Sequence, residues 1–594
     1  MRLSLMLALV AMMGVPAGAT DELHDLLTEA WEYALDQYPL MASNIGDDRG
    51  AGRFAAVDEA AVARRAQTMR GFLERAEALD RDSLEIRDRI NLDVFLRDLQ
   101  DQLAEIEYRS FLIPISNREG FHINLARMPD QARLEDLDDF ESYLARLEAI
   151  PAYVDAHIAL MRRGLEEGHT LPAVVLDGFD QTISAHVVDD PTESRFWLPF
   201  NRLPASISAA DQERLRAAGE KAVRDHVVPA YRTFLTFFVD EYLPSCRDTI
   251  AASDLPDGRA FYEHRVRHFT TLDVSAEEVH RIGIAEVARI REEMLAVIDR
   301  TGFEGDFAAF LKLLRTNPKF YAESANDLLR EAAWISKRMD GELPRLFTRL
   351  PRTPYGVRQI PSFIAPKTTG AYYGPPAGDG SRAGTYFVNT YKVESRPLYT
   401  LEALSLHEAV PGHHLQIALH MEMDDLPPFR RYGYIVAYGE GWALYSERLG
   451  LEVGFYEDPY SDFGRLTYEM WRAVRLVVDT GMHALGWDRQ RAIDYMATHT
   501  ALSIHEITTE IDRYIAWPGQ ALGYKMGELE IRKLRARAEE AMGNDFDIRA
   551  FHDEVLGYGP VPLDVLGEII DRWIARQARG GEASEVGSMA KQGT

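Results

Sequence analysis

Apolar residues recur at three- and four-residue spacing through one long segment after another, and that periodicity confines this chain to packed helices. Residues 21–38, 58–79, 82–108, 140–168, 211–242 and 275–298 all carry the pattern, with charged residues on the outer faces. No repeat of fixed period runs through them. The texture changes near residues 350–395, where Gly, Pro, aromatic and β-branched residues crowd together. That stretch predicts loops with one or more short strands, GTYFVNTY at 384–391 being the best. Helical pattern resumes at Leu401. The predicted fold class is therefore mainly α, a large multi-helix architecture with a small β/loop insert. Turn residues near 250, in AASDLPDGR, mark a boundary between an N-terminal helical region, 20–250, and a second helical region, 251–579.

Residues 404–416 read LSLHEAVPGHHLQ and carry the clearest chemistry. Neutral imidazoles bind zinc, and a neighbouring carboxylate can take a proton from an activated water. His407 and Glu408 close an apolar helical stretch, and His413 and His414 follow. The familiar helical pattern places its second histidine four residues after the first; Pro411 stands there instead. On a regular helix, six residues turn the side chain about 120° away and seven carry it about 10 Å along the axis. Neither suits bonds of about 2.0–2.1 Å. Pro411 and Gly412 can break or bulge the helix and swing a later histidine back. His413 is the preferred second ligand. His414 is the reserve, otherwise a substrate contact. Glu440, in YGEGWALYSERLG, is the candidate third ligand. Glu408 is the candidate general base.

Glu447 lies seven residues beyond Glu440 on the same helix face; it is read as solvent-exposed, with a hydrogen bond to a ligating histidine as the alternative. In LTYEMWRAVRLVVDTGMHALGW, Arg475, Asp479 and His483 step by four on an apolar helix. Such a stripe is costly to bury without partners. Near a metal, His483 would stabilise an oxyanion and Arg475 would hold a substrate carboxylate; a paired structural network is the competing reading. Tyr524, after a Pro-Gly turn, is a candidate phenolic donor to the same oxyanion. A strand beside the metal would pair with an extended peptide, which makes Phe387 and Asn389 candidate substrate contacts; a purely structural hairpin is the alternative. His505 and Glu506 also form a His-Glu pair, but no second histidine follows, and they are read as structural.

The first 19 residues have the form of a secretory signal: Arg2, an apolar core, and Ala17-Gly18-Ala19 as a cleavage site. Export to the periplasm or medium is expected, without a membrane span, because that core is too short. No cysteine stands at the cleavage point, so a lipid-anchored mature form is not expected. Cys246 is the single cysteine, which excludes an internal disulfide. The net charge of −28 argues against nucleic acid and anionic membranes as partners. The polar tail, 580–594, is expected to be disordered.

HEAVPGHHLQ, EGWALYSERLG, WRAVRLVVDTGMHALGW, PGQALGYKMGELEI and DGSRAGTYFVNTY together resemble the bacterial family catalogued as domain of unknown function 885. That family is regarded as similar to helical zinc peptidases such as neurolysin, angiotensin-converting enzyme and the thermostable carboxypeptidases. The resemblance implies a helical metallopeptidase with a deep cleft. The expectation is a zinc enzyme that hydrolyses short peptides, with His407, His413 and Glu440 on the metal. A non-catalytic peptide- or metal-binding protein, or a hydrolase of a non-peptide amide, are the alternatives.

Overall fold

The computed structural model describes residues 18–362, 364–377 and 382–578. The proposed signal segment, up to residue 17, and the tail from 579 lie outside the described residues. The chain is mainly α, with one small sheet. Helix α1 (Ala19–Gln37), α2 (Glu59–Glu77) and α3 (Ile86–Glu107) pack around a small core of Leu23, Leu26, Met69, Phe72, Phe95 and Leu99. Helix α4 (Leu137–Glu167) starts at a capping box in which the Asp136 side chain accepts from the Asp139 N–H.

The second half supplies α5 (Gly258–Thr270), α6 (Ala276–Thr301) and α7 (Ala325–Leu346). The insert follows: β1 (Tyr355–Gln359), β2 (Ala371–Gly374) and β3 (Gly384–Val388) form a three-stranded sheet in the order β1-β3-β2. Strand β3 pairs in parallel with β1 and antiparallel with β2. Then come α8 (Leu401–Glu408), α9 (His413–Met421), α10 (Val436–Leu449), α11 (Pro459–Ala484), α12 (Ile504–Ala516), α13 (Leu522–Met542), α14 (Ile548–Leu556) and α15 (Leu563–Ala578).

One apolar core runs through both halves, from Phe121, Phe234 and Phe238 to Trp442, Val477 and Leu534. The turn near 250 is tied to it, since the Ala252 N–H donates to His483 Nδ1 at 2.9 Å. Helix α11 is the axis of the second half. It is buried from Asp462 to His483, and α6 lies along it.

Helices α10 and α13 cross where neither backbone carries a side chain. A Cβ on Gly441 would stand 2.5 Å from Gly527 Cα, and one on Gly527 would stand 2.0 Å from the Ala437 carbonyl oxygen. This close crossing sets the position of Glu440, next to Gly441 in sequence. Gly527→Ala is expected to destabilise the fold by about 1–3 kcal/mol or more through overpacking, read as a lower denaturation midpoint. A midpoint equal to the parent's would show that the crossing has slack.

Candidate metal centre

Helix α8 stops at Glu408 and α9 begins at His413, so the two histidines sit on different helices joined by a four-residue turn. The Pro411–Gly412 pair makes the turn, as the residue types predict. The Val410–Pro411 peptide is cis. The Gly412 N–H donates to the Leu406 carbonyl at 3.0 Å, folding the turn back on the helix it leaves. A Cβ at 412 would lie 1.9 Å from the His407 carbonyl oxygen, so only glycine fits. Trp442 of α10 donates its indole N–H to the Pro411 carbonyl at 2.8 Å and fastens the turn to the helix that carries Glu440.

His407, His413 and Glu440 converge, each offering one ligand atom within 4.8 Å of the others. Nε2 of both histidines stands 3.4 Å from Glu440 Oε2. That is long for a hydrogen bond. It matches the separation of about 3.3 Å that two bonds of about 2.0–2.1 Å subtend at a tetrahedral ion. Among the described residues, Glu440 Oε2 is buried with no hydrogen-bond partner. His407 Nδ1 is 2.8 Å from Glu447 Oε1. A carboxylate only accepts, so Nδ1 carries a proton, and in the neutral ring it is Nε2 that offers its lone pair to the cluster. Burial opposes charge on His407, yet Glu440 and Glu447 overcome it and push its pKa up to about 9. Burial likewise opposes charge on Glu440, but His413 and His407 hold its carboxyl well below the usual range. The cluster therefore favours positive charge at its centre, and the donor set suits a divalent ion of the zinc type.

Glu447 departs from its sequence reading. It is 1 % exposed rather than solvated, and it anchors His407. Arg472 approaches the same Glu447 oxygen at 3.4 Å. Glu408 is buried beside His407; burial raises its carboxyl, while His407 and His413 work in the opposite direction.

His414 points elsewhere. Its Nδ1 meets the Tyr373 hydroxyl at 2.9 Å and its ring packs on Tyr355, so it supports the sheet rather than the metal site. Burial lowers its pKa to about 4. Asn389 is fully buried; it lines a cavity with Val388, Leu401 and Leu404, but its amide is engaged inside the protein. Its side-chain amide donates to the carbonyls of Ala365, Thr368 and Thr369 at 2.8–2.9 Å, and its oxygen accepts from the Tyr391 N–H. Phe387 stacks on Tyr372 with ring centres 4.8 Å apart. Because β3 is the middle strand, its edges are already paired and it cannot take a peptide as a further strand.

His483 is also removed from the chemistry. Its Nδ1 accepts from Ala252 and its Nε2 donates to the Tyr514 carbonyl at 3.0 Å, which fills both nitrogens. Arg475 donates from Nε to the Tyr514 hydroxyl at 2.7 Å and lies 3.3 Å from Glu510; its guanidinium sits 4.4 Å from the centre of the Tyr524 ring. Tyr524 is half-buried, its phenol raised by burial and then by the charge of Glu440. Tyr434 was not singled out by sequence. Its ring packs on Gly439 and its hydroxyl bonds Glu440, with 46 % of the residue still exposed. No spacing rule marks it, since it precedes α10 in a loop.

Residues 39–570 match the family model described as bacterial protein of unknown function, DUF885. No curated protein matches the chain. A solved structure described as a lipoprotein from Colwellia psychrerythraea is 27 % identical, with a TM-score of 0.88 over 94 % of this chain and 100 % of that one. A lipoprotein of unknown function from Shewanella oneidensis is 19 % identical, with a TM-score of 0.71 over 93 % and 100 %, and shares the fold.

The polar stripe on α11 has a measurable consequence. Burial raises the Asp479 carboxyl to about 7, against hydrogen bonds from Tyr262 and the Gly519 N–H. A raised acid contributes stability that is complete below the unfolded value near 4 and is lost as pH climbs through about 7. Asp479→Asn keeps an acceptor and removes the ionisation. Relative to the parent, it is expected to be more stable at pH 8 than at pH 5 in denaturant titrations; an equal difference at both pH values would refute the assignment.

Proposed function

We propose that this protein, which belongs to the DUF885 family, hydrolyses short peptides at a divalent zinc-type ion held by His407, His413 and Glu440. The observation that carries the reading is the convergence of two imidazole Nε2 atoms on one buried carboxylate oxygen at 3.4 Å, with Glu408 directly beside His407. A bound ion would lower the pKa of a water and polarise the scissile carbonyl. Glu408 takes a proton from the attacking water on its carboxylate and returns it to the departing amine nitrogen. Its burial raises its proton affinity, which suits a base that must hold a proton briefly. Glu447 keeps the His407 proton on Nδ1 throughout. The Tyr524 hydroxyl, in the field of Glu440, would supply a donor for the oxygen on which negative charge grows, while the Tyr434 hydroxyl stays on Glu440.

Export fits this reading. Two proteins of the same fold are described as lipoproteins. No helix of the described residues is long and apolar enough to cross a membrane.

Glu408→Gln is expected to lower turnover of a mixed peptide pool by about 10²–10⁴-fold while the protein still copurifies with stoichiometric zinc. Mass spectrometry of products and elemental analysis check the two halves separately, and undiminished cleavage would remove Glu408 from the reaction. Glu447→Gln is expected to weaken zinc binding by about 10–100-fold with the circular-dichroism spectrum unchanged. Competition with a chelator measures it, and unchanged affinity would make the His407–Glu447 contact irrelevant to the metal.

A further inference from the structure

A cavity of about 280 Å³ lies beside α8 but apart from the metal cluster: among the described residues that line it, none is His407, Glu408, His413 or Glu440. Its volume approaches the range of about 300–1,000 Å³ that holds small ligands. The walls come from α7, β3, α8, α11 and α12. Leu328, Leu401, Leu404 and Tyr468 supply apolar surface. The charged lining is mixed, with Arg315 and Arg396 against Glu394 and Glu506.

These charges differ in how far the protein itself satisfies them. Arg315 is committed: its Nε and one terminal nitrogen donate to the carbonyls of Ala497, Thr500, Ala501 and Leu502. Arg396 is not. Its Nε is buried without a hydrogen-bond partner among the described residues. Its terminal nitrogen stays 4.0 Å from Glu506 Oε1, beyond hydrogen-bond reach. Glu506 is under-compensated in turn, since burial outweighs the field of Arg396 and pushes its carboxyl up to about 7. A buried charged donor without an acceptor is expensive. An anion alone would answer Arg396 but meet the carboxylates of Glu506 and Glu394. A cation alone would answer those carboxylates but meet Arg396. A zwitterion laid antiparallel to the Arg396–Glu506 pair answers both. Adjacent ammonium and carboxylate groups are the mark of a free α-amino acid, and the apolar lining suits an aliphatic or aromatic side chain.

We propose that this cavity is a binding site for a free α-amino acid with an apolar side chain, its carboxylate on Arg396, its ammonium on Glu506 and its side chain against Leu328, Leu404 and Tyr468. The ligand is held without reaction. The site is separate from the metal cluster and does not rest on the hydrolytic reading.

Calorimetry on the full-length protein, with and without chelator, tests it with three compounds: leucine, N-acetyl-leucine, which lacks the ammonium, and leucine amide, which lacks the carboxylate. Leucine is expected to bind about tenfold or more tightly than either analogue, and equally well in both conditions. Arg396→Gln is expected to bring leucine and leucine amide within about threefold of each other while the preference over N-acetyl-leucine survives. Glu506→Gln is expected to do the converse. Opposite, selective losses distinguish removal of a binding group from loss of the fold, which melting temperature checks. If either variant unfolds, the three compounds on the unaltered protein decide alone. Equal binding of all three, no measurable heat from leucine, or leucine binding that vanishes with chelator each overturns the site, and none of these results bears on peptide cleavage.

Discussion

A helix that buries a full stripe of ionisable side chains cannot be placed freely. Asp462, Arg465, Glu469, Arg472, Arg475, Asp479 and His483 all lie inside α11. Each must find a partner, since one unmatched buried charge costs about 3–5 kcal/mol; Arg465 finds Asp462 and Glu469 on α11 itself, and most of the others reach neighbouring elements. The partners fix the assembly. Lys525 of α13 reaches Glu469 at 2.9 Å and Glu286 of α6 at 3.0 Å, while Arg289 of α6 also bonds Glu469. Tyr262 of α5 donates to Asp479 at 2.6 Å. Glu510 of α12 takes Arg475, and Glu447 of α10 takes Arg472. The last of these matters most for chemistry, because Glu447 also aligns His407. The electrostatics of the core and the orientation of a candidate ligand are thus one network.

Backbone crowding supplies the second constraint. Gly412 lets the turn between α8 and α9 lie on the His407 carbonyl, and Gly441 with Gly527 lets α10 lie on α13. The first brings His413 to His407; the second brings Glu440 to both. Trp442 joins the two devices through its bond to Pro411. A ligand set assembled from three helices therefore owes its position to places where side chains are missing.

The helical architecture and the three converging residues were legible because both depend on local pattern. Amphipathic spacing needs no partner to be recognised, and Pro411-Gly412 marks a break wherever it falls. Glu447, His483 and Asn389 were not legible in the same way. Seven-residue spacing puts Glu447 on the face of Glu440 but says nothing of what covers that face. His483 looks like a catalytic donor on an apolar helix, and only the distant Ala252 N–H and Tyr514 carbonyl reveal it as a latch. Asn389 follows a strand that reads as exposed, yet β3 is central and the loop folds over the amide. Polar residues in a buried network and in an active site share one sequence signature; the partners, 20 to 231 residues away in sequence, distinguish them. Glu506 illustrates the reverse case. Its His-Glu pair reads as structural for lack of a second histidine, and His505 is indeed exposed, but Glu506 lies buried in the field of Arg396, Arg118 and Arg472.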